Sequence, residues 1–556
     1  MDMKIPNGFM AETHEVQNQP PALQDYNPYL QDAALREAVQ REGAAWAEAD
    51  LTAFGALTGS SEVIELGFQA NENKPVLYTH NNYGHRIDEV RFHPAYHRLM
   101  QMSLESGLHS SHWTHPQPGA QVARAAKFYL QSQVDAAHGC PVTMTSAVVP
   151  SLLEQPDLAA QWLPKIMACG YDHRNVPVTQ KQAVTIGMAM SEKQGGSDVR
   201  ANSLRAYPLG AGGSGQAYEL VGHKYFVSAP MCDAFLVLAQ APGGLSCFLL
   251  PRWRGDGSKN PLQIQRLKNK MGNVANASCE TELRGAYAEM VGPEGRGVAT
   301  ILKMVTMTRI DCMIGSSSGM RQAAAQALHH AKYRAAFGKL LSDQPLMQNV
   351  LADLVIEQEA ALALTMRIAR ALDQSTPAEK LLVRMGTAVG KYWICKRTPA
   401  HAAEAMECIG GSGVMEDCIM PRLLRESPVN SIWEGSGNVQ CLDMLRAMHR
   451  NPGSVETYVA EVRAGFGADR RLDQYVAQME RELSDLSDLE YRARGVVEKM
   501  ALALQGSLLV RHGTPAVADA FCASRLAGVS SGLTFGNLPR GVDCAAIIAR
   551  ATPLVS

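Results

Sequence analysis

Five short stretches of this chain bring together residue types that can hold a ligand or move a proton. At 187–199, GMAMSEKQGGSDV, a strand-like segment with Met188 and Met190 runs into a glycine-rich turn. There Ser191, Gly196 and Ser197 can present backbone N–H groups and hydroxyls without side-chain obstruction. At 221–230, VGHKYFVSAP reads as a strand with Phe226 and Ser228 on one face and Val227 on the other. At 334–338, Arg334-x-x-Phe337-Gly338 ends a long small-residue helix and Gln344 follows; by itself Gly338 reads as a helix stop. Gly410 and Gly411 open a Gly-Gly-x-Gly loop. Last, Glu434 lies between Trp433 and Gly435, with Ser436 and Asn438 just beyond. A glutamate taken alone is a solvated surface residue. His109, His112 and His115 have helical spacing, but no fourth ligand lies close by, so no metal is expected.

Several elements must position these groups. Residues 1–30 are polar, with Pro20, Pro21 and Pro28, and read as an irregular arm. Residues 31–178 follow a mostly helical pattern, with Leu35, Ala38 and Val39 as an early example. Between 179 and 294, runs such as AFLVLAQ and SCFLLP alternate with turn-rich pieces, which marks a β domain. Helical periodicity returns at 295–446. A last helical block, 447–556, has Tyr458, Val462 and Phe466 four apart, as are Leu472, Val476 and Glu480, with Tyr475, Met479 and Leu483 beside them. Helices, then strands, then helices predict an α+β architecture without βαβ repeats.

A chain of 556 residues is too long for one core. Its 46% hydrophobic content excludes general disorder, and its net charge of -2 excludes a globally basic nucleic-acid binder. The 12 cysteines form no CxxC pair and read as free thiols of a reducing cytosol. The N-terminal residues lack the apolar core of a secretory signal, and no 18-residue apolar run is long enough for a membrane span, so a cytoplasmic location without membrane contact is expected.

Taken in order, the five stretches resemble the signatures of the acyl-CoA dehydrogenase superfamily. Ser191, Glu192, Gly196, Ser197 and Asp198 follow its TEPxAGSD motif. Phe226 and Ser228 stand for the Trp and Thr of GxKxWITN, with Ala229 replacing the Asn. Arg334, Phe337, Gly338 and Gln344 follow RxxFG and its glutamine. Gly410, Gly411 and Gly413 follow QxxGGxGY, with Glu407 and Val414 departing from it, and 432–440 follows IYEGTxxIQ. The resemblance implies the family's fold, with a helical domain, a β domain and a helical bundle, plus a C-terminal helical extension.

It also implies FAD as cofactor. Glu434 would be the base that takes the α-proton of an acyl thioester. Met188, Met190, Ser191, Gly196, Ser197, Phe226, Val227, Ser228, Gly410, Gly411, Trp433, Gly435, Ser436 and Asn438 would line the cofactor. Arg334, Phe337 and Gln344 would reach the flavin of a neighbouring subunit, where a guanidinium fork suits a pyrophosphate; the protein would then be at least a dimer. Some relatives carry their base on the helix just before the arginine matching Arg309; here that residue is Thr308, which leaves Glu434 as the better candidate.

The stretches MSEKQGGSDV, KMGNVANASCE and PVNSIWEGSGNVQCLDMLR, with the N-terminal arm and C-terminal extension, narrow the resemblance to the AidB-like, alkylation-response branch. That implies a homotetrameric FAD protein that binds double-stranded DNA and protects it against alkylation. It would have weak dehydrogenase activity on short branched acyl-CoA. The alternative is an ordinary metabolic acyl-CoA dehydrogenase. Residues 451–556 hold eleven cations against twelve acids, so charge does not announce a DNA surface. Ten of the eleven are arginine, and Arg492, Arg494, Arg511, Arg525, Arg540 and Arg550 are the candidate phosphate contacts.

Overall fold

The computed structural model describes residues 13–374, 376–528 and 534–555. Residues 1–12 of the predicted arm lie outside that range, as do 529–533 of the C-terminal block. Helices from Ala33–Arg41 to Pro156–Ile166 form the first layer. The expected helical pattern of 31–178 needs one correction: Val76–His80 and Arg86–Arg91 pair as an antiparallel hairpin. The β-favouring Val76-Leu77-Tyr78 and the turn ending at Gly84 (φ +83°) override the helical surroundings.

The middle of the chain forms a seven-stranded sheet. Five of its strands close on themselves: Ala234–Ala241, Gly244–Pro251, Ser278–Val291, Ala217–Ser228 and Arg205–Pro208, the last returning to the first at Arg205–Gln240. Closure leaves few free edges. Ile186–Ala189 joins this barrel in parallel beside Ala234–Ala241, and Leu262–Leu267 pairs with Ser278–Val291.

The helix Gly297–Tyr333 then crosses the molecule, followed by Pro345–Asp373, Pro377–Ile409, Met420–Asn430 and Gly437–Arg450. Its first turns, with Ile301, Met304, Val305 and Met307, belong to the barrel core. From Ile310 onward its residues belong to a second core among the helices. Gly390 permits that close packing, since a Cβ there would lie 2.4 Å from the Met313 methyl. Thr308 and Arg309 therefore sit at the seam between two cores.

The C-terminal block is part of the helical core. Tyr458, Val462, Val497, Leu504 and Phe521 are buried in the same cluster as Leu351, Ile368 and Met385. Phe466 does not follow the expected stripe: its helix ends at Arg463, and the ring is exposed. Among the described residues no helix is long and apolar enough to cross a membrane.

Candidate active site

Glu434 occupies the tight loop between Met420–Asn430 and Gly437–Arg450, at the seam of the two cores. Two buried donors, Lys391 and Gln440, and the part-buried Arg309 fix its backbone. Lys391 Nζ donates to the carbonyls of Trp433 (2.8 Å) and Gly435 (2.6 Å). Arg309 Nε donates to the Glu434 carbonyl at 2.8 Å, and Gln440 Nε2 donates to those of Glu434 (3.1 Å) and Gly435 (2.9 Å). Arg309 is itself held by Asp443 at 2.8 Å. These anchors hold Glu434 in the left-handed region, φ +58°, which costs a non-glycine residue about 1–2 kcal/mol. Gly435 follows at φ +101°, where a Cβ would meet Gln440 Nε2 at 2.7 Å.

The carboxyl reaches solvent only in part. Burial raises its pKa, while the hydroxyl of Thr308 and the charges of Arg309 and Lys391 oppose the rise. Thr308 Oγ1 lies 2.8 Å from Glu434 Oε2 and 3.0 Å from the Val305 carbonyl. Trp433 packs against the barrel core, and its Nε1 donates to Asn430 Oδ1 at 2.9 Å. The Glu434 backbone N–H has no acceptor among the described residues.

On the barrel side, the register of Ala217–Ser228 against Ser278–Val291 slips between Lys224 and Val227. This bulge lifts Phe226 outward, 46% exposed, while Val227 stays buried. Tyr225 meets Phe226 edge-on, and Lys268 Nζ lies 3.1 Å from the Tyr225 ring centre. The Ser228 and Ser278 hydroxyls are 2.8 Å apart. Lys270 Nζ donates to Ser278 Oγ (3.1 Å) and to the Asn276 carbonyl (2.7 Å), with its pKa lowered by burial.

The glycine-rich turn is tied to this strand by a buried ion pair, Glu192–Lys224 at 3.0 Å. The partners respond differently. Burial alone would raise the Glu192 pKa, but the Lys224 charge and the Ser203 and Gln194 donors bring it to about 2. Lys224 is lowered to about 8, because burial outweighs the carboxylate. Residues 193–198 are exposed beyond this anchor. Gly196 packs closely on Ser191, whose Oγ would lie 2.3 Å from a Cβ there and would have to turn away. Met188 is buried in Ile186–Ala189, and Met190 is half-buried. An exposed flat ring, a hydroxyl pair and an open loop carrying Gly195, Gly196 and Ser197 fit a flavin.

Arg334, Phe337 and Gln344 lie elsewhere, at the far end of Gly297–Tyr333 on a small hairpin of Ala335–Ala336 and Lys339–Leu340. Phe337, at the tip, is 100% exposed with φ +52°. Gln344 Nε2 donates to the Ala336 carbonyl at 3.0 Å. Twenty-five residues separate Thr308 from Tyr333, roughly 37 Å of helix at 1.5 Å per residue. Gly410 and Gly411 are also exposed, and a Cβ on either would meet nothing within 4 Å.

The arginine candidates divide. Arg525 is 6% exposed and paired with Asp353 (2.5 Å) and Glu357 (3.0 Å), so it is withdrawn as a phosphate contact. Arg550 is also withdrawn: it bridges Glu37 (2.5 Å) and Glu359 (2.9 Å). Arg511 is held by Glu461 at 3.0 Å and Arg492 by Glu482 at 2.9 Å. Arg494 is exposed and donates to Asn438 Oδ1 at 2.8 Å, which sets the C-terminal block directly beside the Glu434 loop. Arg540 is exposed on a turn. His109 and His112 are buried, and among the described residues no group of three metal-ligating side chains is assembled.

Sequence reasoning passed over Lys391 and Lys270, and it placed Gln440 in the cofactor segment and not as an anchor of the Glu434 loop. A lone lysine in the apolar run AVGKYWIC was a readable sign of a buried cation with a specific task. Nothing local marked Lys270.

Three family models match in chain order. Residues 18–173 match the Adaptive response protein AidB N-terminal domain. Residues 187–286 and 295–449 match the acyl-CoA dehydrogenase middle and C-terminal domains. The chain is 44% identical to AidB of Escherichia coli over 92% of its own length and 94% of that protein's. It is 30% identical to acyl-CoA dehydrogenase family member 11 of Caenorhabditis elegans, over 88% of this chain and 84% of the relative. The crystal structure of Caenorhabditis elegans ACDH-11 in complex with C11-CoA superposes with a TM-score of 0.84 at 28% identity, covering 94% of this chain and 93% of that one. An FAD-complexed acyl-CoA dehydrogenase from Bacillus anthracis shares the fold, with a TM-score of 0.64 at 16% identity over 92% of this chain and 88% of that one.

Proposed function

This chain belongs to the AidB-like branch of the acyl-CoA dehydrogenase family, and from that premise we propose that it oxidises the Cα–Cβ bond of an acyl-CoA thioester, with Glu434 as the base and FAD as the cofactor. The observation that carries the reading is Glu434 itself. It is held at a left-handed φ by Lys391, Arg309 and Gln440, and burial makes it a stronger base than an ordinary glutamate.

Glu434 takes the α-proton. The developing charge on the thioester oxygen needs a donor, and the unpartnered Glu434 N–H supplies one within the same residue. Trp433, packed against the barrel core beside Glu434, would help to keep water from the site. FAD, when bound, supplies the hydride acceptor. Phe226, Ser228, Ser191, Ser197 and the open loop 193–198 would hold it on the barrel side. Arg334, Phe337 and Gln344 lie too far along Gly297–Tyr333 to share a dinucleotide with the Glu434 of their own chain, which favours an assembly of at least two copies, and we extend this reading to a homotetramer. Glu434→Gln tests the assignment: acyl-CoA should no longer bleach the flavin band anaerobically, while dithionite still does.

A second reading adds DNA. It is carried by likeness to the adaptive response protein AidB over nearly the whole chain. Arg494 and Arg540 remain the accessible candidates for duplex phosphates, and Arg492 could join them by releasing Glu482. Salt-dependent binding that weakens uniformly across sequences in Arg494→Ala and Arg540→Ala supports this role; unaltered binding in both sinks the assignment of those residues.

A further inference from the structure

One residue of the N-terminal arm makes an unusually complete set of bonds to the Arg334 hairpin. Asn18 Oδ1 accepts from the Ala335 N–H at 2.7 Å, and Asn18 Nδ2 donates to the Ala335 carbonyl at 2.9 Å. Its amide therefore pairs with a peptide as a neighbouring strand would. Arg334 Nη1 donates to the Asn18 carbonyl at 2.7 Å, which closes the ring between one arm residue and two hairpin residues. Asn18 itself is left-handed, φ +57°, a conformation asparagine tolerates better than most residues. Three residues on, the Pro21 carbonyl accepts from His329 Nε2 at 2.7 Å, and the His329 ring packs on Tyr333 with centres 4.9 Å apart. The arm thus grips both the last turn of Gly297–Tyr333 and the hairpin that follows.

The hairpin needs such a grip. It has two residues per strand, and its tip residue is strained and wholly exposed. A two-stranded ribbon this short has no stability of its own in water. Apart from the arm, it is tied by Gln344 Nε2 to the Ala336 carbonyl and, at its base, by the Leu341 N–H to the Arg334 carbonyl at 2.8 Å and the Arg334 N–H to the His330 carbonyl at 2.9 Å. The bond from Asn18 to Ala335 spans 317 residues of sequence, so it cannot arise from local propensity.

We propose that Asn18 is a positioning residue: the N-terminal arm clasps the Arg334–Leu340 hairpin and aims Arg334 and Phe337 at the cofactor of a neighbouring copy. The arm is then part of the cofactor site, although it touches no cofactor itself. This rests on the reading of the hairpin as a flavin contact in an assembly. The clasp itself has a separate readout, because Arg334 and Lys339 are trypsin sites within the hairpin.

The test uses the full-length holoprotein and compares Asn18→Ala, Asn18→Asp and, as a control on the exposed neighbour, Gln17→Ala. The first readout is the rate of tryptic cleavage after Arg334 and Lys339, with fragments identified by mass. The second is the dissociation constant for FAD, followed by flavin fluorescence. Losing two hydrogen bonds should speed hairpin cleavage and weaken FAD by roughly tenfold in Asn18→Ala. Asn18→Asp keeps the acceptor but loses the donor, and should fall between Asn18→Ala and wild type. Gln17→Ala should match wild type. Wild-type cleavage and FAD affinity in Asn18→Ala would overturn the proposal. So would cleavage that rises equally at sites remote from the hairpin, since that marks a general loss of stability. If wild-type protein bound no FAD, the flavin reading would fall, while the cleavage rates would still decide the clasp.

Discussion

Glu434 combines two costs that a purely structural residue would not retain, a left-handed backbone and a partly buried carboxyl. Its folded-state pKa lies above the unfolded value. The folded state therefore holds the proton more tightly, and Glu434 subtracts from stability once pH rises through that interval. Glu434→Gly removes both costs, so it should be more stable than wild type at neutral pH, by about 1 kcal/mol from the backbone alone, while losing all acyl-CoA-dependent flavin bleaching. Calorimetry beside the anaerobic titration checks both halves. Thr308 acts in the opposite sense: its hydroxyl lowers the Glu434 pKa. Thr308→Val should move the midpoint of the pH–rate profile to higher pH, and Thr308→Ser should restore it. An unmoved midpoint contradicts the link. Glu434 was legible in the sequence because five motifs stood in register. Gln440 stood in the same motif, but its bonds to the loop carbonyls were not legible, nor was Lys391, because a helix pattern records burial and not which carbonyl a buried donor meets.

Elements explain why the motifs need one another. The glycine-rich turn and the strand Ala217–Ser228 are joined by Glu192–Lys224, so neither can shift alone. The Glu192 pKa is depressed from 4.5 to about 2, and its stabilising share is present above the unfolded value and lost as pH falls through that window. Acid release of FAD should therefore steepen between those values, and Glu192→Gln should flatten that limb. Lys224→Met leaves a buried carboxylate without its cation and should cost about 3–5 kcal/mol, read by denaturant unfolding. The strand pattern was readable from alternation, but the bulge that lifts Phe226 was not. A one-residue slip depends on pairing with Ser278–Val291, 50 residues further on.

On the scale of the whole molecule, the C-terminal block shares its core with Pro345–Asp373 and Pro377–Ile409 and touches the Glu434 loop through Arg494. A chain ended at 446 would expose the partners of Tyr458, Val497 and Leu504 and should aggregate, as light scattering would detect. Removal of the block is therefore a poor test of DNA binding, and point substitutions at Arg494 and Arg540 are the appropriate one. The block's helices were visible in the sequence. Their merging with the central core was not, and neither was the use of Arg525 and Arg550 as internal bridges, because ion pairing across 150 or more residues leaves no local pattern.

The central claim is that Glu434 is a working base. The most direct measurement is an anaerobic titration of the FAD-loaded protein with short, branched and longer acyl-CoA thioesters, following the flavin band in wild type and Glu434→Gln, with and without duplex DNA. The account predicts bleaching by at least one thioester in wild type and none in Glu434→Gln, with dithionite reducing both. Equal bleaching in the two proteins, or none in wild type across the panel, would contradict it.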